Sequence, residues 1–355
     1  MSDDSTSSSA KRVRDHLDAP MHPAKRAKAA DDSHSDSSSS SSSSSGHKED
    51  DVLIYSPTEI LEEGLKVLGW TEKEIDRVQK KTNMERFRSH FGADPVVLAH
   101  VWEDLQTTSL PEANINRHFT ARKKKELKPF FAAMHFLKRH ETENERERTW
   151  KRSKNTLRRD DWFYVDKIRA LKTVKITFPT LKELGDLIWI LSVDGTHLRT
   201  EEPTHPDLPK DPANFSYKHH CAGFNYEIAL SLAESRLIWM SGPHEAGTYN
   251  DVKIFKEMGL ARKLKQLGKK GIADSGYNGY PNLLSLPNNS HDDKEVAKFK
   301  TRARQRHEGF NRMLKTFDCL SDRFRHSKER LQACFEAVAV VVQYKMEHGY
   351  PLFDI

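Results

Sequence analysis

Leu187-Ile188-Trp189-Ile190-Leu191-Ser192-Val193 is a nearly continuous apolar run, and Asp194-Gly195-Thr196-His197 follows it directly. Such a run, bounded by polar residues, predicts a buried β-strand. A carboxylate at this position is held by the sheet, so we regard Asp194 as a candidate site residue. The alternative is that Asp194 is an ordinary turn residue, since aspartate is common after strands.

Two further carboxylates have comparable surroundings. Asp274 follows Gly271-Ile272-Ala273 and precedes Ser275-Gly276-Tyr277, which fits either a site or a turn. Glu308 lies in the basic helical stretch from Lys298 to Lys315, where an ion pair with a neighbouring arginine is the alternative. Three carboxylates from separate elements, close to cationic surface, suggest a metal-dependent enzyme that acts on nucleic acid.

Residues 184–355 predict a mixed α/β fold. Apolar patterns indicate strands at Leu187–Val193, Gly223–Ala233, Leu237–Met240 and Lys270–Ala273. Helices are expected at Asp251–Leu267, Asp292–Phe317 and Glu329–Met346. This order indicates a mixed sheet flanked by helices. The proline-containing stretch from Glu201 to Asn214 is expected to be a loop.

Residues 53–183 read as helical. Pro57 begins one helix, and Asp94-Pro95 another. Thr71 with Glu74, and Thr142 with Glu145, form capping-box patterns. From Arg117 to Asp160 there are 15 Lys or Arg against 6 Asp or Glu. We therefore expect a DNA-binding region, in which a helix-turn-helix arrangement uses Arg158 and Arg159, unless these are merely solvated outer faces.

Residues 1–52 form a serine-rich tail that is expected to be disordered, because it has too few apolar residues to fold. Its basic clusters, Lys11–Arg14 and Lys25–Lys28, resemble a bipartite nuclear import signal, although a solvated tail explains them as well. The first residues lack the apolar stretch of a secretory signal and no run is long enough to span a membrane, so neither feature is expected. Cys221, Cys319 and Cys334 lack close pair spacing, which suits a reducing compartment.

The local motifs and their order resemble those of the Harbinger-type DDE transposases. The matching segments are Val193–His197, Gly247–Asp251, Ala273–Tyr277, Arg304 with Glu308 and Lys315, and Gly349–Phe353. The resemblance covers residues 190–355 well and extends more weakly into the helical region. It implies an RNase H-like nuclease domain, with the first aspartate on the first strand, the second after the fourth strand and the glutamate on a later helix.

The resemblance also implies a function. Asp194, Asp274 and Glu308 would hold Mg²⁺ or Mn²⁺, and Asp251 is a rival or supporting ligand. The activity would be DNA endonuclease and transposase chemistry in the nucleus, by a homo-oligomer on DNA and together with a separate DNA-binding protein. A catalytically silent, domesticated derivative is the alternative. His197 could approach phosphate or be structural. Phosphate contacts are expected from Arg302, Arg304, Arg306, Arg312 and Lys315.

Overall fold

The first half of the fold is helical. The structure is a computed structural model that describes residues 54–108, 126–202, 210–287 and 292–355. The predicted capping boxes at Thr71 and Thr142 are both formed, and each such cap typically contributes about 1 kcal/mol. The helices before the sheet are α1 Pro57–Val67, α2 Glu72–Asp76, α3 Lys80–Phe91, α4 Pro95–Thr107, α5 Leu127–Arg139, α6 Glu143–Trp150, α7 Lys154–Ala170, α8 Lys172–Lys175 and α9 Leu181–Leu184.

The second half alternates between strands and helices. The strands are β1 Trp189–Arg199, β2 Phe215–Ser216, β3 Cys221–Ser231, β4 Leu237–Glu245, β5 Lys270–Ala273 and β6 Leu284–Ser285. The helices are α10 Asp251–Glu257, α11 Leu260–Leu267, α12 Lys294–Lys315, α13 Asp318–Ser321 and α14 Lys328–Glu347.

The strands form one mixed sheet. Its main order is β3-β1-β5-β6, and both β2 and β4 pair with the other edge of β3. Strand β1 is antiparallel to β3 and parallel to β5, and β5 is parallel to β6. The predicted RNase H-like mixed sheet flanked by helices is thereby confirmed, together with the helical region that precedes it.

Several predicted elements have different bounds, and β4 for example runs to Glu245 and not to Met240. Two of the differences bear on the site. Strand β1 starts at Trp189 and runs past Asp194, because β3 stays paired with it as far as the Arg199–Gly223 pair. Asp194 therefore lies in mid-strand and does not end it. The predicted helix from Asp251 to Leu267 is two helices, since Gly259 between them has φ of 108°.

One large hydrophobic core joins the helical region to the sheet. It extends from Ile60 in α1 to Leu352 near the end of the chain and includes most of α14. The side chains of α14 are buried on nearly every face, as expected for a helix inside a core. Of the helices in the described residues, none has the length and apolarity that a membrane crossing requires. The serine-rich tail and its basic clusters lie outside the described residues.

Candidate metal and DNA site

The sheet brings Asp194 and Asp274 to neighbouring positions. In the parallel pairing of β1 with β5, Val193 lies opposite Ala273. The next residue of each chain segment is an aspartate, so both carboxylates leave the same edge of adjacent strands. Asp194 Oδ1 accepts a hydrogen bond from the Gly195 N–H at 2.8 Å, and Asp274 Oδ1 accepts one from the Gly276 N–H at 2.9 Å.

Asp251 lies between these two aspartates. It is the first residue of α10, whose N-terminus is capped by Asn250. A methyl group on Gly195 would lie 2.5 Å from Asp251 Oδ1, and one on Gly276 would lie 3.1 Å from Asp251 Oδ2. Both glycines therefore leave the space that the Asp251 carboxylate occupies. The sequence placed Asp251 below Asp274 as a candidate, whereas the structure brings it against Gly195 in β1 and Gly276 in the turn after β5.

The three carboxylates interact electrostatically. The pKa of Asp194 is raised to about 6, mainly by burial and also by the negative charges of Asp274 and Asp251, while the Gly195 N–H and Arg304 lower it. Burial and Asp274 raise the pKa of Asp251, while Lys218 lowers it. Within the described residues, none of the three makes an ion pair. Because the negative charges of the three carboxylates repel one another, a bound cation would stabilise the cluster.

Buried polar groups lie beneath this cluster. Burial raises the pKa of Glu227 on β3 to about 8, and its Oε2 accepts a hydrogen bond from Trp239 Nε1 at 3.1 Å. The Tyr277 hydroxyl is fully buried, and burial together with Glu227 and Asp251 raises its pKa. Glu227 is therefore neutral at pH 7 and adds no charge to the three aspartates.

Glu308 shares one face of α12 with Arg304 and Lys315. Positions 304, 308 and 315 fall on the same side of a helix that turns once every 3.6 residues. The positive charge of Arg304 lowers the pKa of Asp194, and that of Lys315 lowers the pKa of His197. The charges at both ends of this helix face therefore lower the pKa of residues on β1. Glu308 is exposed and takes part in none of the ion pairs of the described residues, so the alternative of a helical ion pair is absent there.

The donor set suits a hard divalent cation, but the carboxylates do not converge on one point. No three His, Cys, Asp or Glu side chains in the described ranges are close enough to hold an ion. One carboxylate oxygen of Asp194 and one of Asp274 accept a hydrogen bond from a backbone N–H. The other oxygen of each has no hydrogen-bond partner among the described residues. Oxygen ligands of this type are those that Mg²⁺ and Mn²⁺ take in proteins. The residues fit such an ion, and binding it would require the side chains to rotate.

The cationic residues expected to bind DNA divide into two groups. Arg304, Arg312 and Lys315 are exposed on α12. Arg306 is buried, and its guanidinium donates to the carbonyls of Ser231, Leu232 and Glu234. The expectation that Arg306 contacts phosphate is at odds with this placement, because the side chain is buried and both terminal nitrogens of its guanidinium donate inside the fold.

The other expected DNA contacts have intramolecular partners. Arg158 pairs with Glu143 through two hydrogen bonds, and Arg159 lies 3.6 Å from Asp160. Arg302 donates to the Asp354 carbonyl, and its guanidinium lies over the Phe353 ring. To bind phosphate, these three arginines would have to give up their contacts within the chain, wholly or in part.

Asn225 and His197 form a network that sequence reasoning missed. Asn225 Nδ2 donates to the Tyr249 carbonyl at 2.9 Å, which turns Oδ1 towards His197 Nδ1 at 3.0 Å. Burial lowers the pKa of His197 to about 4, so the imidazole is neutral at pH 7 and donates from Nδ1. Asn225 thus connects β1 beyond Asp194 to the loop before Asp251. No pattern around Asn225 in the sequence distinguishes it from other polar strand residues.

Comparison with known proteins agrees with this geometry. No curated protein and no solved structure matched the chain. Residues 193–343 match the family model of the DDE superfamily endonucleases, a range that begins beside Asp194 and includes Asp251, Asp274 and Glu308. This match supports placing the segment that carries the acidic cluster in the DDE endonuclease superfamily.

Proposed function

We propose that this protein is a divalent-metal-dependent DNA endonuclease of the Harbinger type, acting as a transposase or derived from one. One observation carries the proposal. Three partly buried aspartates lie where β1 and the end of β5 adjoin the start of α10, and none has an ion-pair partner in the described residues; all three are inside the segment that matches the endonuclease family. Buried carboxylates without partners are costly, and this cost is characteristic of functional sites.

The proposed roles follow from position. Asp194 and Asp274 are ligands of Mg²⁺ or Mn²⁺, Asp251 is a further ligand, and Glu308 completes the set from α12. When bound, the metal ions polarise the phosphate and lower the pKa of the attacking hydroxyl. The Gly195 and Gly276 N–H groups orient the two aspartates. Because Glu308 lies on a helix and is exposed, it is the ligand with the most freedom to move.

The substrate is a phosphodiester of DNA. Arg304, Arg312 and Lys315 form an exposed cationic face on α12 beside Glu308. Arginine can hold phosphate oxygens through two parallel hydrogen bonds, and such contacts set position more than sequence preference. We propose that this face holds the DNA backbone so that the phosphodiester to be cut reaches the acidic cluster.

A nicking assay tests the proposal. The full chain is incubated with supercoiled plasmid in Mn²⁺, in Mg²⁺ and in chelator. We expect nicking only with metal, and a loss of about 1,000-fold or more in Asp194→Asn, because metal-ion catalysis contributes several kcal/mol. Asp186→Asn is the matched control, since Asp186 is exposed and lies in the loop before β1. Metal-dependent nicking that survives unchanged in Asp194→Asn would refute the assignment.

The second candidate is a domesticated DNA-binding or scaffold protein without cleavage activity. The observation that favours it is the lack of three converging ligands among the described side chains. A Mn²⁺ titration without a saturable site, combined with retained DNA binding, would support it over the nuclease.

The cellular setting is also a proposal. The basic clusters of the tail suggest the nucleus, and fusing residues 1–35 to a fluorescent reporter tests this. The resemblance to Harbinger-type enzymes suggests a homo-oligomer on DNA and a separate DNA-binding partner. Weak affinity of the isolated chain for DNA would favour the need for that partner.

A further inference from the structure

The turn between β2 and β3 carries an exposed aromatic side chain. This turn consists of Tyr217–His220. The Tyr217 side chain is 76% exposed, and its ring lies edge-on to Phe215 with centroids 5.4 Å apart. Tyrosine normally covers much of its ring in a folded protein. One face of Tyr217 is therefore available to a planar ligand.

Lys218 places a positive charge near the acidic cluster. Lys218 follows Tyr217 in this turn, and its ammonium lowers the pKa of Asp251. Lys218 is exposed and makes no ion pair with another of the described residues. Its charge is therefore available to a phosphate that lies against the aspartates.

The hairpin formed by β2, the turn Tyr217–His220 and β3 is held against β1, which carries Asp194, and against the loop that precedes Asp251. The His219 ring stacks on His197 with centroids 4.4 Å apart, and His197 bonds to Asn225, which also holds the Tyr249 carbonyl. The Gly247 N–H donates to the Ala213 carbonyl at 2.8 Å. The turn, β1 beyond Asp194 and the loop before Asp251 thus form one connected unit.

The Gly247 contact leaves no room for a side chain. A methyl group on Gly247 would lie 2.5 Å from the Pro212 carbonyl and 2.8 Å from the Phe215 carbonyl. The segment before the hairpin therefore lies directly on the loop that leads to Asp251. The position of the segment that leads into the Tyr217–His220 turn is therefore set by backbone contacts with this loop.

We propose that Tyr217 stacks on an unpaired base next to the phosphodiester to be cut, while Lys218 binds the adjacent phosphate. This inference rests on the proposed nuclease function and specifies its substrate. Every base has a face on which an aromatic ring can stack, but a paired duplex covers those faces with neighbouring bases. The preferred substrate is therefore DNA whose strands are separated beside the cut. Arg199 and Lys315, whose charges lower the pKa of both His197 and His219, add to the cationic surface there.

Binding of forked and fully paired DNA tests this inference. The full chain is titrated against both DNAs by fluorescence anisotropy in Ca²⁺, so that binding is measured separately from cleavage. We expect the wild type to prefer the fork. Tyr217→Ala should weaken fork binding about tenfold and abolish the preference, whereas Tyr217→Phe should retain it. Lys218→Ala should weaken both complexes and reduce the salt dependence by about 0.7–0.9 of a counterion.

Lys265→Ala is the matched control, because Lys265 is an exposed lysine of α11. Its binding curves should equal those of the wild type. A wild type that nicks DNA with metal but binds fork and duplex equally, or a Tyr217→Ala variant that keeps the preference, overturns the inference and leaves the nuclease proposal standing. A wild type that prefers the fork through Tyr217 but never nicks DNA contradicts the nuclease proposal, and it also overturns the placement of the stacked base beside a cut. A chain that binds neither DNA overturns both.

Discussion

The helical region and the acidic edge of the sheet both contain charges removed from water, but only the first contains their partners. In the helical region, the buried Arg146 guanidinium donates to both oxygens of Asp161 and to the Ala132 carbonyl. At the sheet edge, the negative charge of Asp274 raises the pKa of both Asp194 and Asp251, and neither of these two has a cation within 4 Å among the described residues. The paired charges of the helical region hold helices together, whereas the unpaired carboxylates at the sheet edge are suited to binding a cation.

The largest effect on stability is expected from breaking a buried pair. Arg146→Met leaves the Asp161 carboxylate buried without a cation, which should lower the free energy of unfolding by about 3–5 kcal/mol. Urea unfolding followed by circular dichroism measures it. Arg148→Met on the same helix is the control, because Arg148 is exposed. A loss below about 1 kcal/mol in Arg146→Met would mean that the pair is not what holds α6 to α7.

A substitution at the acidic edge is expected to raise the free energy of unfolding and not to lower it. The pKa of Asp194 is about 6 in the folded protein, against an ordinary value of 3.8. The folded state therefore holds the proton more tightly, and the contribution of Asp194 to stability falls as pH rises from about 4 to 6. Asp194→Asn should stabilise the metal-free protein by about 1–3 kcal/mol at pH 7.5 and by almost nothing below pH 4.

Thermal unfolding of Asp194→Asn at pH 4 and pH 7.5 measures this difference. The wild type and Asp186→Asn are compared under the same conditions, with chelator present. Equal melting temperatures of Asp194→Asn and wild type at pH 7.5 would show that ionised Asp194 is not strained in the fold.

The smallest effect is expected at the cap of α6, the helix that positions Arg146. The Thr142 side chain and Glu145 complete a capping box at its start. Thr142→Ala should cost about 0.5–2 kcal/mol in urea unfolding, while Thr142→Ser should keep most of the stability. A loss in Thr142→Ala as large as that of Arg146→Met would mean that the cap, and not the buried pair, dominates this region.

Local patterns in the sequence account for much of the fold. The capping boxes at Thr71 and Thr142, the mixed sheet and the strand before Asp274 all follow from short-range periodicity and turn chemistry. The extension of β1 to Arg199 was missed, because it depends on pairing with β3, which is distant in sequence. The break at Gly259 was missed because a single glycine inside a helical pattern is often tolerated.

The site was predictable only in part, for the same physical reason. Asp194 and Asp274 could be identified because each follows a run of apolar residues in the sequence. The closeness of Asp251 to both depends on how α10 packs over Gly195 and Gly276, which no local pattern contains. The burial of Arg306 likewise follows from its three carbonyl partners at Ser231, Leu232 and Glu234, whereas its sequence surroundings resemble those of an exposed arginine.

Binding of Mn²⁺ to the metal-free protein tests the central claim most directly, namely that these unpartnered aspartates form a metal site. Free Mn²⁺ is measured by electron paramagnetic resonance during titration of wild type, Asp194→Asn and Asp186→Asn at pH 7.5. We expect saturable Mn²⁺ binding in the wild type and in Asp186→Asn, and loss of saturation in Asp194→Asn. Indistinguishable binding in all three proteins, or no saturable site in the wild type, would contradict it.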